Sequence, residues 1–380
     1  MAGSARVADV KVIGAGPAGL MAAEVLAGAG HRVTIHDHMA APARKFLLAG
    51  RGGLNLTHSE PLDAFLERYG EAKDFLAPAI NAFPPDALIA WANGLGIETF
   101  VGSSGRVFPK QMKASPLLRA WLRRLESLGV TLVTRSRWEG FDGLPTILAL
   151  GGASWPHLGS DAAWLPIFAA KGITVHPFKP ANSRFLVHWS PVFRDRFAGT
   201  PVKNVALTYA GKRVRGELMI SQEGIEGGAI YAVSKGLREH PGHPLVIDFR
   251  PDLTEEVLAR RLSRPRGKDS LSNYLRKVAG LSPVAINLLR ETGTAPDAKG
   301  IKAMPLKLER PAGITRAISS AGGVARDEVD AHFQLIKAQG TYCVGEMLDW
   351  EAPTGGYLLQ ACFSTAVMAA RHLASELEKG

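Results

Sequence analysis

Cysteine is nearly absent from the chain: Cys343 and Cys362 are the two in 380 residues, they lie far apart, and they form no CxxC pair. A disulfide framework, a thiolate zinc site and a dithiol redox centre are therefore not expected, and a reducing cytoplasm is the compartment that fits. Long apolar runs are missing too. No stretch reaches the roughly 18 uninterrupted apolar residues that a membrane span requires, so no span is expected. The alanine-rich segment from Val10 to Gly30 imitates a signal-peptide core. It is broken by Gly14, Gly16, Pro17 and Gly19 and followed by a polar strand-like segment, which argues against that reading. Internal repeats and low-complexity tails are lacking as well. What remains is 46% hydrophobic and 21% charged, enough for the buried core of a globular protein of two or three domains. The formal net charge is +10. Such a balance suits nucleic acid, but a generally basic surface plus a site for anionic phosphates accounts for it as well, and a nucleic-acid partner is not the expectation.

The segment VADVKVIGAGPAGLMAAEVLAGAGHRVTIHD reads as strand, glycine turn, helix and second strand. Val10–Ile13 is the first strand, Gly14-Ala15-Gly16-Pro17-Ala18-Gly19 matches G-x-G-x-x-G, Leu20–Ala29 is helical, and His31–Asp37 is the second strand. Gly14 permits the tight turn, Gly16 lets backbone approach a pyrophosphate, and Gly19 lets helix pack on strand. A diphosphate would sit on the helix N-terminus, where free N–H groups and the helix dipole favour anions. Asp37, 23 residues after Gly14, falls where a carboxylate takes ribose hydroxyls. His36 and His38 flank it; on a strand they share a face from which residue 37 points away, so solvent-facing histidines are expected and no metal site.

An acid at that position suits FAD or NAD. Two further features bear on the choice. In LPTILALGGASWPHLGSD a buried strand, Thr146–Leu150, leaves through Gly151-Gly152, as in FAD proteins of the two-dinucleotide type. Near the C-terminus Thr341–Val344 is a strand, Gly345-Glu346 a turn, Asp349 follows, and Thr354-Gly355-Gly356 starts a helix running to about Glu378. That helix N-terminus offers unpaired N–H groups to a reduced flavin.

The chain resembles the BaiN/YhiN-type flavoproteins, a family of NAD(P)/FAD-dependent oxidoreductases. The resemblance rests on GAGPAGLMAA (14–23), RKFLLAGRGGLNLTHSE (44–60), GGASWPHLGSD (151–161), SSAGGV (319–324) and GEMLDWEAPTGGYLLQACFSTAVMAA (345–370). It implies an α/β fold: a Rossmann-like FAD-binding domain of the two-dinucleotide-binding-domain type, residues 1–182 and 311–380, interrupted by a β-barrel-like insert (183–250) and a small helical insert (251–310). Some relatives reduce conjugated double bonds in bile-acid-like substrates and others are amine oxidases. The sequence departs from the family at Gly224-Ile225-Glu226-Gly227-Gly228, which lacks the usual proline, and at Ala162, where a glycine is expected; the substrate does not carry over. Cofactor contacts are expected from Gly14, Gly16, Pro17, Ala18, Gly19, Asp37 and His38, and from the second glycine loop through Arg44, Lys45, Gly50, Arg51, Gly52, Gly53, Asn55 and Leu56. Gly151, Gly152, Gly345, Glu346, Asp349, Gly355, Gly356, Tyr357 and Leu358 complete the set.

The second glycine loop follows the ribose acid by about a dozen residues and is read as the flavin-side loop, its glycines letting backbone pass close to a flat ring. In the middle of the chain FLVHW, VALTYA, RVRGELMIS and PLVIDF alternate as strands, with a hairpin turn at Gly211-Lys212. Helical periodicity follows from Leu253 to Thr292, with starts at Thr254 and Ser282-Pro283. Within it ARRLSRPRGK gathers Arg260, Arg261, Arg264, Arg266 and Lys268 without an interleaved aromatic, so a solvated basic face is expected rather than a stacking platform. FAD would carry hydride through N5 to or from a small organic substrate in the cleft between FAD domain and insert. No second G-x-G-x-x-G exists, so NADH or NADPH would act as a transient reductant. Lys45, Arg51, Asn55 and Tyr357 are candidates to face the ring, and none declares itself a general acid. An RNA-modifying flavoenzyme and a non-catalytic FAD-binding regulator are the competing readings.

Overall fold

The computed structural model describes residues 7–379. The chain divides into two compact units, Met1–Lys179 with Ser319–Gly380, and Pro180–Ile318.

The first unit is built on a five-stranded sheet in the order Thr341–Cys343, Thr146–Leu148, Asp9–Ile13, Arg32–Asp37, Thr131–Thr134, every pairing parallel. Its interior is apolar: Val10, Val12, Ile13, Val33, Ile35, Ile147 and Leu148 are all buried. The helix Pro17–Gly28 returns the chain from the first strand to the second; it has Pro at its first position, and Ala18, Gly19, Leu20, Met21, Ala22, Ala23 and Leu26 are buried. It packs against the closing helix Tyr357–Lys379, whose buried residues include Ala361, Ala366, Ala369 and Ala370. Alanines on both sides let the two axes approach closely. A three-stranded sheet of Thr57–His58, Arg106–Pro109 and Thr99–Val101 anchors the far end of the second glycine loop. Among the described residues no helix is long and apolar enough to cross a membrane.

The second unit holds a six-stranded antiparallel sheet in the order Met304–Leu306, Leu245–Asp248, Pro201–Tyr209, Lys212–Ser221, Gly224–Glu226, Phe185–Leu186. The sheet curls back on itself. Beyond Met304–Leu306 the chain reaches the opposite edge, where Glu309 N donates to Leu186 O and Leu186 N to Arg310 O, each at 3.0 Å. The hairpin between its two longest strands turns at Ala210-Gly211, with φ of +46° and +80°, one residue before the expected position. Gly224 lies within a strand and Gly227 at a helix start, so the stretch that lacks the family's proline is a strand-to-helix junction. Helices Pro191–Phe197 and Gly228–Glu239 interrupt a region that reads as strands alone. Helices Glu255–Leu262 and Pro283–Glu291 start where expected, capped by the side chains of Thr254 and Ser282.

Candidate functional site

The glycine turn is fixed by contacts that no side chain could share. Gly14 has φ +102°, and a Cβ there would lie 2.3 Å from Ala149 O. A Cβ on Gly19 would lie 1.8 Å from Gly14 O. Gly16 differs: it is extended, at φ −79° and ψ −179°, and nothing lies within 4 Å of a Cβ built on it. The space over Gly16 is thus open. The helix beginning at Pro17 has no side-chain cap. Leu20 N turns back to Gly16 O at 2.9 Å, while the earlier N–H groups of Ala18 and Gly19 have no place in the helical ladder. Twelve residues of aligned peptide dipoles stand behind them. Asp37 braces the same turn, its carboxylate accepting from Ala15 N and Met39 N, both at 2.7 Å.

A cavity of about 450 Å³ opens beside this turn, within the size range of cofactor sites. Gly14, Gly16, Pro17, Ala18, Asp37 and His38 form one wall. Arg44, Lys45, Gly151 and Glu346 line it too, as do Arg137, Trp138, Asp161 and Cys362, which sequence reasoning missed. Arg137 and Trp138 follow strand Thr131–Thr134, and that strand lies next to Arg32–Asp37, so their placement depends on strand order. Asp161 draws in Arg137 at 3.3 Å and His38 at 3.7 Å.

Four distant segments meet at Lys45. Its Nζ donates to Glu346 Oε2 at 2.7 Å and to Ser154 Oγ at 2.6 Å, and Glu346 Oε1 accepts from Ser320 N at 3.0 Å. Ala43, at φ +54°, bends the chain into the short helix Arg44–Ala49 that carries Lys45. Burial, reinforced by the Glu346 charge and partly offset by Lys45, pushes the neighbouring Cys362 thiol up to about 12. It is therefore a neutral thiol at physiological pH.

The remaining expected residues lie elsewhere in the same unit. Asn55 donates to Thr57 O at 2.8 Å and Val107 O at 3.2 Å, stitching its own loop, and Leu56 is fully buried. Gly50 backs onto Ala114, Gly53 with φ +116° onto Met112, and Gly52 faces open space. Arg51 is exposed. The Tyr357 hydroxyl donates to Glu60 Oε1 at 2.6 Å, and Arg68 clasps the same carboxylate. Burial alone would raise the Glu60 carboxyl, but the hydrogen bonds from Arg68 and Tyr357 outweigh it and hold Glu60 below the usual carboxylate range. The Tyr357 hydroxyl is raised by burial and by its bond to Glu60. Gly356, at φ +98°, presses against Thr57; Gly355 lies under the Tyr357 ring; Leu358 packs against the core. Gly152 touches Ser320, Gly345 touches Ala18, and Asp349 pairs with His176 at 2.8 Å. Of the four ring-facing candidates, Lys45 lines the cavity, and Arg51, Asn55 and Tyr357 do not.

A parallel sheet carrying an uncapped glycine turn and a ribose-type acid, together with a cavity of cofactor size, defines a dinucleotide-binding fold of the Rossmann type. The fold is shared with a flavocytochrome c3 fumarate reductase in its open conformation, at a TM-score of 0.52 and 16% identity over 99% of this chain and 79% of that one. Residues 8–372 match the HI0933-like protein Rossmann domain, and the chain belongs to that family. It is 27% identical to a 3-dehydro-bile acid delta(4,6)-reductase of Clostridium scindens, over 95% of this chain and 98% of the relative. It is 26% identical to a ribosomal RNA dihydrouridine synthase of Escherichia coli, over 96% and 98%.

Proposed function

We propose that the protein reduces a carbon–carbon double bond conjugated to a carbonyl, with FAD at the cavity beside the glycine turn and NADH or NADPH as a transient reductant. The observation that carries this reading is the open space over Gly16 in front of an uncapped helix N-terminus, with Asp37 beside it. The Ala18 and Gly19 N–H groups are placed to receive a diphosphate, and the Asp37 carboxylate to accept from ribose hydroxyls. Lys45, held by Glu346 and Ser154, would present a positioned ammonium donor to a cofactor in the cavity. When bound, FAD supplies the hydride through ring nitrogen N5. Support for the substrate class comes from chemistry common to the two relatives: a 4,6-diene beside a 3-ketone and the C5–C6 bond of uracil are both double bonds polarised by a carbonyl.

A second reading narrows the substrate to a uracil within RNA, and charge distribution favours it. Residues 180–318 contain 23 Lys and Arg against 13 Asp and Glu, while the rest of the chain contains 22 of each. The whole excess of +10 therefore belongs to the second unit. Incubation with NADH or NADPH and either a 4,6-dien-3-one steroid or unmodified ribosomal RNA tests both readings. A mass gain of two hydrogens in either substrate supports the reductase; a gain in RNA alone selects the second reading; no gain in either sinks both.

A further inference from the structure

We infer that the helix–loop–helix from Glu255 to Val278 is an RNA-backbone grip, a surface that takes the phosphates of structured RNA. The inference rests on the RNA reading of the proposed function. The two helices, Glu255–Leu262 and Leu271–Val278, are joined by a loop, and together they carry Arg260, Arg261, Arg264, Arg266, Lys268 and Arg276. All but the half-buried Arg261 are exposed. None of these six is ion-paired among the described residues, whereas neighbouring cations are: Lys277 with Asp269, Arg215 with Asp252, Arg213 and Lys302 with Asp248. Six unneutralised cations within 17 positions repel one another, and a polyanion relieves that repulsion while releasing its own counterions.

The loop that displays them is held in place. The Tyr274 hydroxyl bonds to Leu262 O and Arg264 O, Lys277 Nζ reaches both Asp269 oxygens at 2.8 and 2.9 Å, and Ser270 caps the second helix. Little backbone entropy is then lost when the loop meets a ligand. Tyr274 is the aromatic residue of the motif, and its hydroxyl is committed to the loop. Phosphate contact is thus favoured over base stacking, and a structured RNA over an extended single strand. No large hydrophobic side chain is exposed anywhere between residues 250 and 280, so the motif lacks the apolar face that holds a helix in a bilayer interface.

The test is binding of the oxidised full-length protein to a fluorescein-labelled RNA hairpin across a salt series, with no reductant present. The triple variant Arg264→Ala, Arg266→Ala, Lys268→Ala should bind at least about tenfold more weakly, and its slope of log affinity against log salt should be shallower by about 2–3. Arg215→Ala, whose side chain is committed to Asp252, should leave both nearly unchanged. Equal far-ultraviolet circular dichroism and thermal melting in wild type and variants check that the fold is intact. A triple variant that binds with wild-type affinity and slope overturns the inference. So does a wild type that binds phosphatidylserine vesicles but not the hairpin. Absence of double-bond reduction would count against the proposed function without changing this binding result.

Discussion

At Gly16 a single substitution can test ligand binding apart from folding. Its backbone is extended and an added methyl meets nothing, in contrast to Gly14 and Gly19, where it would strike main-chain oxygen. Gly16→Ala should therefore change the stability of the flavin-free protein by less than about 1 kcal/mol and weaken FAD binding at least about tenfold, measured by flavin retention and by denaturant unfolding. A fully loaded Gly16→Ala protein would place the diphosphate elsewhere. Glu60 is the opposite case, a carboxylate that holds structure together. It is bound by Arg68 and by the Tyr357 hydroxyl, and its pKa is depressed in the folded state. A depressed carboxylate stabilises above its unfolded pKa, and that stability disappears as pH falls through the folded value. Glu60→Gln should destabilise by about 1–3 kcal/mol at neutral pH, and melting curves of variant and wild type should converge as pH falls below the ordinary glutamate range. At this scale the sequence marks Gly14, Gly16, Asp37 and Lys45, and the structure brings these four to the wall of one cavity. Ser154 and Ser320, which surround the Lys45–Glu346 pair, lie more than 100 residues from Lys45 and are brought to it by the tertiary fold. Asn55 and Tyr357 resemble ring-facing residues in sequence, yet their polar atoms bond within the protein.

The closing helix and the second glycine loop are locked together where Gly356 meets Thr57. With φ at +98° and a Cβ position 2.5 Å from Thr57 main chain, Gly356→Ala should cost about 2 kcal/mol or more. Gly52→Ala, on the same loop but facing open space, should cost under about 1 kcal/mol. Denaturant unfolding of the pair distinguishes a packed junction from a flexible one; equal losses would contradict it. The elements marked by local chemistry are legible: a strand before the glycine turn, capped starts at Thr254 and Ser282, a long closing helix after Gly355-Gly356. The helix Gly228–Glu239 is overlooked, although Ile230, Val233, Ser234 and Leu237 are all buried at helical spacing. Its flanking glycines and neighbouring alternating strands mask that period. The hairpin moves by one residue because Ala210 takes a left-handed conformation that alanine rarely adopts, so its residue type gives no signal.

Across the whole molecule, the division of charge is as clear as the division of fold: one unit carries no net charge and the other all of it. That asymmetry can be read from composition once the boundaries are known, but not before. The closure of the six-stranded sheet is equally invisible in sequence, since Glu309 and Leu186 are paired through main chain that carries no residue-specific mark. The Rossmann class was within reach of sequence because its strand–turn–helix geometry leaves glycines behind at Gly14 and Gly19. Substrate recognition leaves no such mark. Anaerobic titration of the purified protein, followed by its flavin absorbance, tests the central claim most directly. NADH or NADPH should bleach the bound flavin, and a substrate with a carbonyl-conjugated double bond should restore its absorbance while the saturated analogue does not. A protein that binds no flavin on reconstitution, or whose reduced flavin both compounds leave bleached, would contradict the account.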